Sequence, residues 1–497
     1  METVLIIGAG PAGLTAAWRL LRDGKNRYKP IIVETSDFIG GIACTVEYKG
    51  NYMDMGGHRF FTKNEEVQNA WLDFQPNPFR KRTRISRIYF QRKFFDYPIT
   101  LTLKTIVSLG FSQTMSAGLS YLKALLIKRP EHSLEDFYIN RFGKVLYQLF
   151  FERYTEKLWG THPRDLSPDW GAQRVKGLSL RRAIIAFLAT PFKRDDARTE
   201  TSLIDWFYYP RLGPGQYWEQ MAQSIVEKGG EIRLSSEVIG LGTTECDGRI
   251  FIKSAIIREV KTGDIYRIEP DAVISSMPIK DLIAALGKVA PERVREIAEA
   301  LPYRDFMTVG LLVNKLVLSA DDGGLIPDSW IYVQEPEVKL GRIQIFNNWS
   351  QDMVASPDDT VWLGLEYFCA ESDEMWNARD EDFIAFAASE LAQIGVITRE
   401  DVLDGTVVRV KKAYPSYFGS YEHFGEVKDY LKTIDNLYCV GRNGQHRYNN
   451  MDHSMLTSFE AVRAILDPAY DKDRLWEVNT EQTYSEELSD KEIQVLK

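Results

Sequence analysis

The chain has 497 residues, a formal net charge of -9 at pH 7 and a charged fraction of 26%. The length predicts more than one domain, and the acidic balance argues against a nucleic-acid partner. The four cysteines and six histidines show neither CxxC nor metal-ligand spacing. We therefore expect free thiols, no metal site and a reducing, cytoplasmic location.

The first elements predict a β-α-β unit. A short apolar strand precedes Gly8, Gly10 and Gly13, and a helical pattern then leads to a second strand, KPIIVE, which ends at Glu34. Gly8 permits a tight turn, Gly10 lets backbone approach a pyrophosphate, and Gly13 allows close helix–strand packing. The helix amino terminus offers N–H groups to phosphates, and Glu34 can accept hydrogen bonds from ribose hydroxyls. The spacing predicts a dinucleotide site that disfavours a 2′-phosphate.

The stretch DMGGHRFF places Gly56 and Gly57 directly before His58. Two glycines let backbone pass close to a ligand, with the histidine held beside it. The alternative is a plain loop whose histidine is hydrogen-bonded to backbone.

Helical patterns follow over most of residues 100–190. Within them, 105–122 has no charged residue and predicts a buried or amphipathic helix. The alternatives are a membrane span or a peripheral membrane contact. From about residue 230, short alternating runs predict strands. NLYCVGRNG then predicts a late buried strand, and MLTSFEAVRAIL predicts the helix after it.

The residues after Glu34 distinguish between dinucleotides. Gly40 and Gly41, together with the late CVGRNG strand, resemble the extended FAD signature of the glutathione-reductase and amine-oxidase flavoproteins. The sequence has no second GxGxxG between a strand and a helix, which argues against a separate nicotinamide domain. The resemblance therefore implies FAD.

Nucleotide-binding segments at both ends and in the middle predict an α/β fold. This fold is a split Rossmann FAD-binding domain with an inserted helical domain and a second antiparallel sheet. The predicted bounds are 1–95, 210–295 and 405–470 for the FAD-binding domain, 96–209 for a helical substrate domain, 296–404 for a substrate-side β-sheet domain and 471–497 for a charged tail.

Further motifs, spread over nearly the whole chain, resemble the UDP-galactopyranose mutases. They are DMGGHRFF, RYTEKLWG, WGAQRV, FYYPRLGPGQYW, GRIQIFNNWS, AYPSY and GRNGQHRYNNMDHSM. The resemblance implies catalytic roles for His58, Arg174 and Arg342. It implies substrate contacts by Tyr154, Trp159, Arg174, Arg342, Tyr414, Tyr448 and Asn450. It implies cofactor contacts by Gly8, Gly10, Ala12, Gly13, Glu34, Gly40, Gly41, Gly57, His58, Gly441, Arg442, Met451 and Asp452.

The same resemblance implies that reduced FAD acts through its N5 atom as a nucleophile on the anomeric carbon of a nucleotide-diphosphate sugar, UDP-linked in the family. An external reductant, with NAD(P)H as the candidate, would supply the reduced form. Leu158 and Asn450 depart from the pattern of many members and leave the sugar open. The oligomeric state also stays open.

Other functions and roles are compatible with the same residues. An FAD-dependent oxidase or desaturase of the amine-oxidase or protoporphyrinogen-oxidase type is one alternative, and a flavin-binding structural or regulatory protein is another. Arg174 and Arg342 could form ordinary salt bridges. The aromatic residues could be core, and Asp452 could cap a helix.

Overall fold

The computed structural model describes residues 1–74, 79–97, 103–168, 206–320 and 322–479. Arg174 and the last part of the predicted helical stretch, residues 169–190, lie outside these ranges. The chain divides into two compact units, which are described separately. The first contains Met1–Arg80, Tyr208–Asp305 and Val410–Thr480, and the second contains Lys81–Phe207 and Phe306–Arg409.

Strands occur in both units and are numbered in chain order. They are β1 (Glu2–Ile7), β2 (Tyr28–Val33), β3 (Thr45–Tyr48), β4 (Asn51–Asp54), β5 (Arg80–Thr83), β6 (Ser86–Phe90), β7 (Lys93–Asp96), β8 (Trp206–Tyr209), β9 (Glu231–Arg233), β10 (Ser236–Cys246), β11 (Arg249–Glu259), β12 (Ile265–Ile268), β13 (Ala272–Ser275), β14 (Tyr303–Val313), β15 (Trp330–Val333), β16 (Arg342–Ile345), β17 (Val361–Cys369), β18 (Val402–Pro415) and β19 (Leu437–Cys439).

The α-helices of the described ranges are numbered in the same way. They are α1 (Pro11–Asp23), α2 (Glu65–Leu72), α3 (Leu103–Leu109), α4 (Phe111–Leu126), α5 (Leu134–Phe142), α6 (Lys144–Tyr147), α7 (Arg153–Trp159), α8 (Pro214–Glu227), α9 (Ile279–Leu286), α10 (Glu292–Glu299), α11 (Phe346–Trp349), α12 (Glu374–Asn377), α13 (Asp380–Gln393), α14 (Phe424–Lys432), α15 (Gly441–Gly444) and α16 (Met451–Leu466).

The first unit is built on a parallel sheet with the strand order β19-β13-β1-β2-β9. Leu5 of the central strand lies opposite Ile31 on one side and Val273 on the other. The apolar run of β1 is buried, as is typical of a parallel strand covered on both faces. The chain leaves β1 for β2 on one side and later returns to β13 on the other. The carboxyl end of β1 is therefore a topological switch point, where such sheets bind ligands.

The second unit is built on a sheet with the strand order β18-β14-β17-β16-β15-β6-β7. β16 pairs antiparallel with β15 and β17, whereas β6 pairs parallel with β15. Every residue of β17 is buried, and Phe383, Ala387 and Leu391 of α13 belong to the same core. The predicted second sheet is present, but its β6–β15 pair is parallel rather than antiparallel.

The uncharged segment 105–122 forms parts of two helices rather than one. Gly110, with φ of 83°, separates α3 from α4. A glycine adopts this left-handed conformation without the strain of a side chain. Among the described residues, no helix combines the length and the apolar character needed to span a bilayer.

A π-turn interrupts the helical run that carries the RYTEKLWG motif. Gln148–Glu152 lies between α6 and α7, and Gly160 ends the run in a left-handed conformation, with φ of 68°. π-turns inside helices often occur near functional sites.

The two units differ from the predicted domain bounds, and the predicted helical and β-sheet domains lie in one unit. Two stretches show why the bounds differ. Residues 81–95 cluster with the second unit, because β6 is hydrogen-bonded to β15 of its sheet. The predicted tail begins with the helical turn Lys472–Trp476, where Leu475 and Trp476 are buried in the core of the first unit. Both contacts join residues that are distant in the sequence, so a local pattern could not predict them.

Candidate functional site

The glycine-rich loop lies at the switch point of the first unit. Gly8 has φ of 102°, and a Cβ on Gly13 would lie 1.9 Å from the carbonyl oxygen of Gly8. Gly13 is therefore required for the close packing of α1 on the loop. The first turn of α1 has no acidic residue, so its N–H groups face no competing carboxylate of their own helix.

Gly40 and Gly41 are held against the same loop. Gly40 N donates to Ala9 O at 2.9 Å, and a Cβ on Gly41 would lie 3.2 Å from Gly10 Cα. Both glycines have positive φ, 102° and 55°. The two glycine turns thus form one backbone surface that suits a pyrophosphate, and the residues present fit the dinucleotide part of FAD.

Glu34 has a role that the sequence did not reveal. Its Oε2 accepts from Ala9 N at 2.7 Å, and its Oε1 accepts from the backbone N and the hydroxyl of Ser36, both at 2.8 Å. The carboxylate braces the glycine loop. Because a carboxylate offers about four lone-pair sites, it retains acceptor capacity for the predicted ribose contact.

The late strand and its helix pack against this loop. Gly441 has φ of 74°, and a Cβ there would lie 2.9 Å from Cβ of Ala12. Met451 is buried at the start of α16. The capping residue of α16 is Asn450, in a capping box with His453, and Asp452 lies within the first turn. Asn450 therefore has a structural task beside its predicted substrate contact.

The Gly-Gly-His loop follows β4. Gly56 is the residue in the left-handed region, with φ of 94°, and Gly57 is exposed. His58 Nδ1 lies 3.0 Å from the carbonyl oxygen of Gly56. Since a carbonyl only accepts, this hydrogen bond requires a proton on Nδ1. The histidine is thus bonded to its own loop, and its predicted flavin contact stays a prediction.

A buried hydrogen-bond network, missed in the sequence, holds this loop. Asp54 Oδ1 accepts from the Thr45 hydroxyl at 2.9 Å, and Asp54 Oδ2 accepts from the Tyr209 hydroxyl. Thr45 Oγ1 also accepts from Gly215 N at 3.0 Å. Burial raises the pKa of Asp54 to about 7, although the two hydroxyl donors lower it in part. The network joins β3, β4 and the FYYPRLGPGQYW segment.

Tyr414 and Tyr448 form a parallel ring pair, with centroids 6.1 Å apart and planes at 6°. The guanidinium carbon of Arg442 lies 4.6 Å from the Tyr448 ring centre and 5.5 Å from that of Tyr414. Arg442 also donates to the carbonyl oxygens of Asn449 and Ala413, at 3.0 and 3.1 Å. These contacts fix a cation beside both rings.

Arg342 lies in the second unit, on β16. Its Nε is 2.5 Å from Oε2 of Glu366, whose Oε1 accepts from Gln344 at 3.0 Å. The Glu366 side chain is 1% exposed and that of Arg342 is 20% exposed. Burial raises the pKa of Glu366, and Arg342 and Gln344 lower it in part. The buried carboxylate of Glu366 binds the inner side of the Arg342 guanidinium, and part of the arginine side chain stays exposed.

Aromatic side chains neighbour Arg342 within the same unit. Tyr332 lies directly opposite Arg342 in the β15–β16 ladder, and such partners share one face of a sheet. The ring of Tyr154 packs edge-on against that of Tyr332 at 6.0 Å, and Tyr97 lies against Tyr332 at 4.2 Å. The sequence predicted Tyr154 but missed Tyr97 and Tyr332. We name Tyr97, Tyr154, Tyr332 and Arg342 the tyrosine–arginine patch.

The loop before Arg342 is held by a half-buried lysine. Lys157 Nζ donates to the carbonyl oxygens of Val333, Glu335 and Leu340, at 3.1, 3.2 and 2.9 Å. Burial lowers the pKa of Lys157 to about 8. These bonds connect α7, which carries Tyr154, to the loop that leads into β16.

The predicted residues therefore lie at three places in the two units. The first unit brings together the glycines of the dinucleotide loop, Glu34 and Ala12 at one place, and Tyr414, Tyr448 and Arg442 at another. The second unit contains Tyr154 and Arg342 in one patch, and Trp159, which is buried at the end of α7. All four cysteines are free thiols, as predicted.

Comparison with known proteins gives three relevant matches. The model of the family of flavin containing amine oxidoreductases matches residues 11–466. A probable UDP-galactopyranose mutase of Klebsiella pneumoniae is 27% identical over 179 residues, which are 33% of this chain and 43% of the relative. The dTDP-fucopyranose mutase of Escherichia coli is 28% identical over 173 residues, 33% of this chain and 44% of the relative. The aligned part thus spans less than half the length of either relative.

A solved structure of reduced UDP-galactopyranose mutase has the same fold. The superposition covers 96% of this chain and 96% of the other, with a TM-score of 0.78 and 21% sequence identity. The predicted α/β fold with a Rossmann-type domain is thereby confirmed.

Proposed function

The chain belongs to the family of flavin-containing amine oxidoreductases, and we propose that within it the chain acts as a pyranose–furanose mutase on a nucleotide-activated sugar. The observation that carries the proposal is the tyrosine–arginine patch of the second unit. An arginine fork matches phosphate oxygens, and aromatic rings stack on a nucleotide base. Two relatives named as mutases of UDP- and dTDP-linked sugars support the substrate class.

In this proposal Arg342 binds the diphosphate, together with the predicted partner Arg174. Glu366 keeps the guanidinium in one orientation, so less side-chain entropy is lost when the substrate binds. Tyr154 and Tyr332 contact the base or the sugar. The relatives' names include two different nucleotides, so the patch would recognise the features that UDP and dTDP share.

The flavin-containing family implies FAD as the cofactor. In our proposal the glycine loop and the amino terminus of α1 hold its pyrophosphate, and Glu34 holds its ribose. When bound and reduced, the flavin supplies the nucleophile for the anomeric carbon. Gly56, His58 and the Asp54 network keep the backbone beside the ring in place. NAD(P)H is the proposed external reductant, and the free thiols support a reducing, cytoplasmic compartment.

The test is isomerisation by the dithionite-reduced protein. Parent and Arg342→Ala would be incubated with UDP-galactopyranose and with dTDP-fucopyranose, and furanose products would be separated chromatographically. We expect furanose from at least one of these sugars with the parent, and little with the variant. Lys339→Ala, at an exposed cation in the loop that precedes β16, is the matched control. Absence of furanose product from both sugars would contradict the proposal.

Amine oxidation is the alternative within the family, and one observation favours it. Parallel aromatic rings such as Tyr414 and Tyr448 are a typical cage for an ammonium group. Arg442, however, already places a cation 4.6 Å from one ring and 5.5 Å from the other, and it would repel an amine. Oxygen consumption with an amine, without added reductant, would support the alternative.

A further inference from the structure

The outer side of α4 presents an apolar face. We define the outer face of α4 as Phe111, Met115, Leu119, Leu122 and Leu126, all of which are exposed. Phe111 is 78% exposed and Leu126 is 85% exposed. Their spacing of three or four residues places them along one side of the helix. Among the described residues, eight of the eighteen exposed large apolar side chains fall within 107–127, so this is a concentrated patch rather than scatter.

The inner side of α4 carries mainly smaller residues. Ala117, Tyr121 and Ala124 are its buried positions. A Cβ on Gly143 would lie 2.7 Å from Tyr121 N, so the backbone of α4 packs closely on the start of α6. The largest aliphatic side chains of the helix therefore face outward, and packing within the unit does not account for them.

The charged residues within the sequence segment that contains this face are all basic. Residues 103–130 contain Lys104, Lys123, Lys128 and Arg129 and no Asp or Glu, although acidic residues make up 70 of the 497 in the chain. At that average frequency the segment would hold about four. Arg129 lies 3.8 Å from Asp136, and Lys93 Nζ donates to the carbonyl oxygen of Ser108 at the end of α3. The local excess of positive charge thus contrasts with the net charge of -9.

We propose that the outer face of α4 docks on the surface of an anionic lipid bilayer. An amphipathic helix with an apolar face, flanking lysines and no acidic residue is typical of segments that lie in the plane of the membrane interface. The apolar side chains would enter the boundary between headgroups and acyl chains, while Lys123 contacts anionic headgroups. Lys128 Nζ donates to the carbonyl oxygen of Asn140 at 2.5 Å and adds positive charge at the same end of α4. Pairing with a second copy would supply no acidic residue of α4 to these lysines, whereas anionic lipid supplies the complementary charge.

The experiment is sedimentation of the full-length, flavin-loaded protein with vesicles. One set contains phosphatidylcholine alone, and in the other part of it is replaced by phosphatidylglycerol. We expect binding to the anionic vesicles, at least about tenfold weaker binding to phosphatidylcholine, and weakening as salt is raised. Phe111→Ser combined with Leu119→Ser should weaken binding about tenfold or more.

The controls separate this proposal from general stickiness and from dimerisation. Val226→Ser with Ile265→Ser removes two exposed apolar side chains of the first unit and should leave vesicle binding unchanged. Flavin content and melting temperature would show that each variant is folded. A parent that does not sediment with anionic vesicles would overturn the proposal. So would a Phe111/Leu119 variant that binds as the parent does, or one whose only change is from dimer to monomer in light scattering.

Discussion

Replacing Asp54 by Asn tests the buried network beside the Gly-Gly-His loop. Asp54 is fully buried, and burial raises its pKa to about 7 in the folded protein. In an unfolded chain the pKa of an aspartate is about 3.9. The folded protein therefore keeps this proton over a pH range in which the unfolded chain has lost it, and stability must depend on pH across that range.

The sign follows from the order of the two pKa values. Because the folded value is higher, the stability linked to this proton is fully present below about pH 4 and is lost as the pH rises through about 7. A difference of roughly three pH units corresponds to about 4 kcal/mol of unfolding free energy. Asparagine has no such proton to lose, and its amide can accept from Thr45 and donate to the Tyr209 oxygen. The variant should therefore become the more stable protein at alkaline pH.

The assay is a series of melting or denaturant curves for parent and variant between about pH 4 and pH 8. The other titratable groups contribute equally to the unfolding free energy of both proteins, so their contributions cancel when one free energy is subtracted from the other. Asp37→Asn, at a largely exposed aspartate, is the matched control and should show a constant difference from the parent. If the difference between parent and Asp54→Asn is also independent of pH, Asp54 does not carry a raised pKa and the burial argument fails.

Three further changes test the cofactor and substrate proposals. Gly13→Ala should give protein without flavin absorbance, because its Cβ would meet the Gly8 carbonyl oxygen at 1.9 Å; a yellow, saturated variant would contradict this. Glu366→Gln should weaken UDP binding about tenfold by loosening Arg342, with melting temperature and calorimetric titration measured side by side; unchanged affinity would assign the pair to stability alone. Gly56→Ala should lower the flavin midpoint potential and slow turnover, because alanine is strained at φ of 94°, while UDP affinity stays near that of the parent; an unchanged potential in spectroelectrochemical titration would refute the coupling.

The nucleotide-binding unit was predictable because its signals are local. Gly8, Gly10 and Gly13 stand at fixed spacing between an apolar strand and a helix, and the close contact that requires Gly13 is with the carbonyl oxygen of Gly8, five residues earlier. Such features depend on local backbone geometry, which the spacing of glycines and apolar residues indicates directly. Gly110 was missed, because the sequence predicted one helix over 105–122 and this glycine divides the segment between two.

The supporting contacts could not be predicted because they join distant parts of the chain. Asp54 and Tyr209 are 155 residues apart, and nothing near either residue indicates the other. Tyr332 became a neighbour of Arg342 only through strand register, which depends on the whole sheet. For the same reason, the sequence placed β6 and β7 in the FAD-binding domain, whereas they belong to the sheet of the second unit.

The π-turn at Gln148–Glu152 decides which side chains of the helix that ends at Trp159 face the sheet. A π-turn contains one residue more than the corresponding α-helical turn and accommodates it without breaking the helix. Every side chain after it is rotated by about 100° relative to an uninterrupted helix. Tyr154 and Lys157 owe their present directions to that extra residue. Removing one residue from this turn would present a different side of α7 to the sheet and turn Tyr154 away from Tyr332.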